Sequence, residues 1–261
     1  FGKSAIKLSV FSLCFFQFIY LIINTIMFNS FLSSFTWTKA GLTPLLHLFF
    51  PFRCHGCGLE LLAKEAGICV FCEAGLDYTF NETETPPHLD KEPIKIHALF
   101  YYSKGNVAQA LLHALKYKHE RDLCFKWGLI LAQTLKKEPV EMPECLIPVP
   151  LHPKKRFIRG YNQSELLAKG IQAEFPNIHV VLDRIVRKKN NKSQTGKNKF
   201  NRLADVSNAF DLTPKVLLNY NHIGLVDDVV TTGATLKGLI ELIKSKHPHI
   251  RITIFVLAVT K

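Results

Sequence analysis

Apolar and polar positions follow two different periods along the C-terminal two thirds of the chain. Runs rich in apolar and β-branched residues predict strands at 96–102, 145–149, 223–226 and 250–259. Helical spacing predicts helices at 107–117, 123–135 and 236–244, and another from a cap at Asn162 to Ala173, with Glu165 in the capping-box position. This alternation predicts an α/β fold with a doubly wound, mostly parallel sheet, in which ligands bind beyond the carboxyl ends of the strands.

The same pattern divides the chain into four parts. Residues 81–93 contain three prolines and several acidic residues without apolar periodicity, which predicts a linker. We therefore expect an apolar N-terminal extension (1–41), a small cysteine-containing module (42–80), the linker (81–93) and an α/β domain (94–261).

The charge distribution indicates an anionic partner. The formal net charge of +12 favours a phosphate-bearing substrate, nucleic acid or a membrane surface. Between Arg184 and Arg202 there are eight Lys or Arg and no Asp or Glu. A smaller cluster contains Lys154, Lys155, Arg156 and Arg159. Both basic clusters are also compatible with solvated loops that bind no partner, so charge alone does not identify the partner.

Four of the seven cysteines form two Cys-x-x-Cys pairs, at Cys54, Cys57, Cys69 and Cys72. This spacing is typical of a tetrahedral metal site, and four thiolates leave no open position, which predicts structural rather than catalytic zinc. His55 lies inside the first pair and competes as a ligand, although we expect a bystander. The other three cysteines lie in apolar surroundings and are expected to pack.

The segment after the strand at 223–226 is the most informative. Asp227 and Asp228 stand at the strand end, and a turn of small and hydroxyl residues leads into a helix. Backbone N–H groups, hydroxyls and a helix N-terminus suit a phosphate, whereas the carboxylates suit a vicinal diol or a metal. Together they predict a ribose-phosphate site; the alternative is an acidic strand end before a helix without a ligand. The turn consists of Thr231, Thr232, Gly233, Ala234 and Thr235.

This segment resembles the signature of type I phosphoribosyltransferases. The resemblance implies that Asp227 and Asp228 contact the ribose hydroxyls and that residues 231–235 bind the 5-phosphate. Gly224 departs from the family pattern, because a branched apolar residue usually stands at that position of the strand. We expect this departure to weaken the strand slightly.

A second stretch resembles the ComF family, phosphoribosyltransferase-like proteins named for competence and DNA uptake. The similarity extends from about residue 42 to the C-terminus and includes Lys116-Tyr117 and the cysteine pairs. It implies that Lys116 contacts pyrophosphate; a cation favoured by the helix dipole is the alternative. Asn162 belongs to the stretch that carries this resemblance, and the alternative is that it serves only as a helix cap. The stretch comprises Pro148-Val149-Pro150-Leu151-His152-Pro153, then Arg156 and Arg159-Gly160-Tyr161-Asn162-Gln163.

The resemblance also assigns roles to two loops. Pro150, Leu151 and His152 would face pyrophosphate, with Arg156 and Arg159 as counter-charges. The basic stretch 187–202 matches the family's flexible loop, and closing such a loop would exclude water and pair cations with the departing pyrophosphate. Gln194 and Arg202 match the family in this loop, whereas Asn191 and Asp205 depart from it.

Two functions follow as hypotheses. The first is an enzyme that transfers ribose 5-phosphate, with inversion at C1, from magnesium-bound phosphoribosyl pyrophosphate to an unidentified acceptor. The second is a non-catalytic sensor or scaffold in DNA uptake, in which the zinc module and basic loops contact single-stranded DNA or competence proteins. Binding of single-stranded DNA requires aromatic residues among the basic ones. The basic clusters have few: Phe200 in the larger cluster, and Phe157 and Tyr161 beside the smaller one.

The apolar run from Leu8 to Phe28 is long enough to span a membrane. Three interpretations compete: a genuine anchor, a signal segment, or upstream sequence joined to the gene product in error. Because thiolate metal sites and phosphate esters belong in the cytosol, we expect a cytoplasmic protein whose native product begins near Met27. The alternative is a cytoplasmic-side membrane anchor, and membrane contact requires that residues 1–28 are genuine.

Overall fold

The computed structural model describes residues 51–62, 65–79, 94–182, 184–187, 210–213 and 220–260. The chain divides into two compact units, Phe1–Pro51 and Phe52–Lys261, and the description below concerns the second. Gln194, Arg202 and the apolar N-terminal run lie outside the described residues, so the predictions made for them stay predictions. No helix in the described ranges combines the length and apolar character needed to cross a bilayer.

The second unit is an α/β structure, as the alternation of periods predicts. All predicted strands and helices are present, with ends within a few residues of their expected positions. A short helix in the basic cluster, a helix inside the cysteine module and three short strands were not predicted. The elements are α1 (Val70–Ala74), β1 (Lys95–Tyr102), α2 (Val107–Tyr117), α3 (Arg121–Leu135), β2 (Cys145–Pro148), α4 (Pro153–Arg159), α5 (Gln163–Glu174), β3 (His179–Val180), β4 (Ile185–Arg187), β5 (Phe210–Leu212), β6 (His222–Val230), α6 (Ala234–Lys246) and β7 (Arg251–Thr260).

Five strands form one parallel sheet in the order β1-β7-β6-β2-β3, and β4 and β5 form a separate antiparallel pair. One face of the sheet packs against α2, α3 and α5, and the other packs against α6 and the β4–β5 pair. Burial on both faces explains why residues 223–226 of β6 and 254–259 of β7 are continuous apolar runs. The doubly wound fold is therefore confirmed, and β6 lies between β7 and β2 with its carboxyl end beside theirs.

Two glycines allow α3 and α5 to pack unusually closely. A Cβ atom on Gly128 would lie 2.2 Å from the carbonyl oxygen of Leu167, and one on Gly170 would lie 2.3 Å from that of Phe125. Because these neighbours are backbone atoms, they cannot give way to a larger side chain. The close crossing fixes α5 relative to the rest of its layer, and α5 is the helix whose first turn reaches the end of β6.

Gly224, the residue that departs from the family pattern, has a packing explanation. A Cβ atom there would meet the side chains of Leu146 at 2.7 Å, Phe255 at 2.8 Å and Pro143 at 2.9 Å. These neighbours already fill the space that a branched residue would need. The glycine thus accommodates larger side chains on the adjacent strands.

Replacing Gly128 with alanine is expected to lower the free energy of unfolding by roughly 1–3 kcal/mol, because the added methyl group collides with α5. The roughly 1 kcal/mol that alanine gains over glycine in a helix offsets part of this loss. Urea unfolding monitored by circular dichroism measures the change. Gly75→Ala is the matched control, since Gly75 has φ −85° and its added Cβ would make only ordinary contacts at 3.5 and 3.6 Å. Equal stability of the two variants would contradict the close-packing argument.

Candidate functional site

The two acidic residues lie within the second half of β6 rather than after it, because the strand continues to Val230. Asp227 Oδ1 accepts hydrogen bonds from the hydroxyl of Ser164, at 3.0 Å, and from the backbone N–H of Asp228, at 2.9 Å. Asp228 is buried, and its Oδ2 lies 3.2 Å from Nζ of Lys116. Each carboxylate is therefore held by a side chain from a helix on the same face of the sheet.

Lys116 is the single lysine of α2, in its last turn, and the structure gives it a contact that neither sequence-based interpretation included. Its ammonium group forms an ion pair with Asp228, and both side chains are largely shielded from solvent. Shielding strengthens the attraction, because fewer water molecules screen it. Contact between Lys116 and pyrophosphate stays a prediction.

The environment of Asp227 disfavours its ionised form. Burial and the adjacent Asp228 carboxylate raise the pKa of Asp227 to about 7, against the opposing effects of the Asp228 N–H, Ser164 and Lys116. A half-buried carboxyl group that titrates near neutral pH at a strand end is the kind of group found at functional sites. The raised pKa makes the charge of Asp227 sensitive to pH near neutrality.

The turn after β6 ends in a helix N-terminus without a side-chain cap. Gly233 adopts a left-handed conformation, with φ 67°, and α6 begins at the next residue, two positions before its predicted start. No side chain caps the first turn of α6, so its backbone N–H groups are available to an anion. Residues 229–236 and Asp227 line one small depression. The structure thus places Asp227, which is predicted to bind the ribose diol, beside the turn that is predicted to bind the phosphate.

The loop at Pro150, Leu151 and His152 follows the carboxyl end of β2, which is hydrogen-bonded to β6. The N–H of Val149 donates to the carbonyl of Val226, at 2.9 Å, so the loop begins beside the acid pair. His152 caps α4, because its Nδ1 accepts from the N–H of Lys154 at 3.2 Å. Topology places this loop at the expected edge of the sheet, and its contact with pyrophosphate stays a prediction.

The two arginines predicted as counter-charges have protein partners. Arg156 is exposed and lies 3.5 Å from a carboxylate oxygen of Glu165. Arg159 is buried, donates to the hydroxyl of Tyr117 at 3.4 Å and lies 5.0 Å from the centre of its ring. This hydrogen bond and the charge of Arg159 lower the pKa of Tyr117. Any role of either arginine toward pyrophosphate stays a prediction.

The alternative role of Asn162 as a helix cap is confirmed. Its Oδ1 accepts from the N–H of Ser164 at 3.2 Å, and its Nδ2 donates to the carbonyl of Val149 at 3.0 Å. Asn162 therefore ties the start of α5 to the end of β2. Ser164 itself was missed by sequence reasoning, since its position after a cap was visible but the strand against which α5 packs was not.

The four predicted cysteines form one cluster that can hold a metal ion. Their sulfur atoms all lie within 4.8 Å of one another, and those of Cys57 and Cys69 are 3.6 Å apart. Four thiolates around zinc at about 2.3 Å imply sulfur–sulfur distances of about 3.8 Å, which the cluster fits. Burial raises the pKa of Cys54, but N–H donors of Cys57, Cys69 and Gly56 outweigh it and lower the pKa to about 6. These donors favour the thiolate form of Cys54, whereas burial raises the pKa of Cys72.

The cysteine module packs directly on the α/β layer. His55 Nε2 lies 3.0 Å from a carboxylate oxygen of Glu120, which accords with the bystander expected at that position. The indole N–H of Trp127 donates to the carbonyl of Ala66 at 2.9 Å. Backbone hydrogen bonds also join residues 77–79 to β1, whose outer edge they cover. The module therefore shares the core formed by α2, α3 and β1.

The raised pKa of Asp227 predicts a specific pH dependence of stability. Asp227 binds its proton more tightly in the folded than in the unfolded chain, so this contribution to stability is lost as pH rises through about 7. Between pH 5 and pH 8, the free energy of unfolding of Asp227→Asn relative to that of the wild type should therefore rise by on the order of 2 kcal/mol. Urea unfolding at the two pH values measures this.

Asp228→Asn is the matched control for that experiment. It breaks the ion pair with Lys116 and leaves the lysine without its partner, so it should destabilise the protein at pH 8. A pH-independent effect of Asp227→Asn would contradict the raised pKa.

The fold and site define a class: a doubly wound α/β protein with a four-cysteine module and an acidic strand end followed by an uncapped helix. No protein-family model matches the chain. It is 27% identical over 216 residues to Competence protein F of Haemophilus influenzae, covering 75% of this chain and 92% of that protein. It is 24% identical over 212 residues to DNA utilization protein YhgH of Escherichia coli K12, with the same two coverages.

Competence protein ComFC of Bacillus subtilis is 28% identical over 135 residues, 52% of each chain. These similarities agree with the resemblance to the ComF family that the sequence predicts, and the fold and cysteine cluster are compatible with that resemblance. Among solved structures, the AQ2163 protein of Aquifex aeolicus is 13% identical, with a TM-score of 0.34 over 63% of this chain and 86% of that one. That similarity is too low to support an inference about function.

Proposed function

We propose that this chain binds phosphoribosyl pyrophosphate, with magnesium, at the carboxyl edge of the sheet and acts in competence or DNA uptake. The observation that carries the proposal is that Asp227, next to Asp228 in β6, lines one depression together with an uncapped helix N-terminus. A ligand with a diol at one end and a phosphate at the other matches both groups. The names of the homologous proteins support the cellular role.

The acid pair has the acceptor capacity that a diol requires. Asp227 uses Oδ1 for Ser164 and the neighbouring N–H, and Asp228 uses Oδ2 for Lys116. Within the described ranges, the second oxygen of each carboxylate makes no hydrogen bond. Two adjacent acceptors can receive the two hydroxyls of a ribose, and ionised carboxylates bind hydroxyls more strongly than neutral acceptors do.

The opposite end of the ligand would bind along the turn. Thr231 and Thr232 carry hydroxyl groups, and residues 233–235 contribute the first N–H groups of α6. The helix dipole favours negative charge at this point. A residue with a side chain in place of Gly233 would be strained in the left-handed conformation and would limit the close approach of a phosphate.

We propose that the protein transfers ribose 5-phosphate to an acceptor. As pyrophosphate leaves, C1 develops positive charge, and carboxylates that fix the ribose would hold it in a reactive orientation. Magnesium, bound with the substrate, would neutralise charge on the pyrophosphate. Lys116 and the loop at 150–152 lie at the same edge of the sheet, and we propose that they contact the pyrophosphate.

A second candidate function is a non-catalytic protein that binds single-stranded DNA. The favouring observation is α4, where Phe157 is 91% exposed beside Lys154, Lys155 and Arg156. An exposed aromatic ring next to cations is suited to stacking with a base. Tyr161, the other aromatic residue of this cluster, is buried and donates its hydroxyl to the carbonyl of Leu115, so it adds nothing to such a surface.

Calorimetric titration separates the two candidates. The enzyme hypothesis predicts one site per chain for phosphoribosyl pyrophosphate with magnesium, and release of pyrophosphate in the presence of some member of a panel of amines and bases. The DNA-binding hypothesis predicts that Phe157→Ala weakens binding of a labelled oligonucleotide without changing the affinity for phosphoribosyl pyrophosphate. Absence of heat with phosphoribosyl pyrophosphate at any concentration would contradict the main proposal.

The double variant Asp227→Asn, Asp228→Asn is expected to lose ribose-phosphate binding while remaining folded. The amides have no negative charge and half the acceptor capacity of carboxylates, so we expect affinity to fall at least 100-fold, or about 3 kcal/mol. The measurement is titration with ribose 5-phosphate, with circular dichroism to establish folding. Asp122→Asn, at an exposed position in the first turn of α3, is the control and should bind normally. Unchanged affinity in the double variant would exclude this site.

We propose that the metal in the cysteine cluster is zinc in a structural role. Protein purified without chelator should contain one zinc per chain by mass spectrometry. Cys57→Ser should lose the metal although Cys57 is exposed and contributes little packing. Cys124→Ala removes a buried cysteine outside the cluster and should retain the zinc. Absence of zinc from the wild type, or a disulfide between any two of the four cysteines, would contradict the assignment.

A further inference from the structure

The first turn of α5 provides a side chain that the sequence comparison did not assign to the site. Ser164 is 2% exposed, and its hydroxyl lies 3.0 Å from Oδ1 of Asp227. Among the described residues, it is the one side chain that forms a hydrogen bond with Asp227. Since an ionised carboxylate only accepts, the hydroxyl is the donor in this pair.

The backbone around Ser164 is held by an independent set of hydrogen bonds. Asn162 accepts from the N–H of Ser164 and donates to the carbonyl of Val149, the residue that follows β2. The close crossing of α3 and α5 at Gly128 and Gly170 fixes the rest of the helix. The hydroxyl of Ser164 therefore has a defined position relative to β6, which is what an orienting group requires.

The charged groups that the structure describes around Asp227 do not orient its carboxylate by direct contact, so a neutral hydrogen-bond donor can do so. Asp228, from the same strand, opposes ionisation of Asp227. Lys116, from α2, favours it but is in contact with Asp228. Arg187, at the end of β4, interacts with the charge of Asp227 and also lies over the ring of Phe210, 5.2 Å from its centre. In the part of the chain that the structure describes, the Ser164 hydroxyl at 3.0 Å is thus the closest side-chain group that stabilises the anion.

We propose that Ser164 is a positioning residue of the ribose site, whose hydroxyl holds the Asp227 carboxylate in the orientation and charge state that accept a diol. The predicted effect on ligand binding rests on the proposed function. The hydrogen bond between Ser164 and Asp227 is present in the protein without a ligand. Ser164 would thereby affect ligand affinity without direct contact between Ser164 and the ligand.

The first test is the pH dependence of ribose 5-phosphate binding. Ser164→Ala should shift the pH at which affinity is half-maximal upward by about one unit, which makes binding roughly tenfold weaker below that pH. Ser164→Thr retains the hydroxyl and should restore the wild-type midpoint. Ser245→Ala removes a hydroxyl from the far end of α6 and should leave the profile unchanged. Equal midpoints in the wild type and Ser164→Ala would overturn the proposal.

A second measurement does not need the ligand. In protein with ¹³C-labelled aspartate, the carboxyl resonance of Asp227 should titrate about one unit higher in Ser164→Ala than in the wild type. Ser164→Cys has nearly the volume of serine and a weaker donor, and it should shift the titration in the same direction if the alanine variant does not fold. If the wild type binds no ribose 5-phosphate, the proposed function fails, whereas an unshifted Asp227 titration overturns the role of Ser164 alone.

Discussion

The structure of the site depends on one electrostatic constraint: two adjacent carboxylates must be held near the end of a largely buried strand. Like charges at neighbouring positions oppose each other's ionisation, and burial adds to the cost. The protein meets this constraint with two different partners, a lysine for Asp228 and a serine hydroxyl for Asp227. Only one of the two acids receives a full counter-charge, which leaves Asp227 with a pKa of about 7.

Both partners come from helices on one face of the sheet, so helix packing controls the electrostatics. Lys116 lies in the last turn of α2, and α5 is set against α3 by two glycines that permit backbone contact. The cysteine module reinforces the same layer, since Ala66 accepts from Trp127 of α3 and His55 contacts Glu120 at its start. The module therefore supports α3, the helix against which α5 packs.

Features encoded by short segments of sequence could be predicted. The helical and strand periods gave the fold class, the acid pair and its turn identified the candidate site, and the cysteine spacing identified the metal cluster. Contacts between distant segments could not be predicted. Ser164 to Asp227, Lys116 to Asp228 and Arg159 to Tyr117 depend on which helix packs against which strand. Gly224 was interpreted as a weak strand position because the side chains that fill its space come from other elements.

The most direct test of the account is a crystal structure of the protein with ribose 5-phosphate. The account predicts that the phosphate lies against the backbone N–H groups of residues 231–235 and that both ribose hydroxyls of the diol donate to Asp227 and Asp228. It also predicts that the hydroxyl of Ser164 remains on Asp227. A phosphate bound elsewhere on the protein, with the turn and the acid pair empty at saturating ligand, would contradict it.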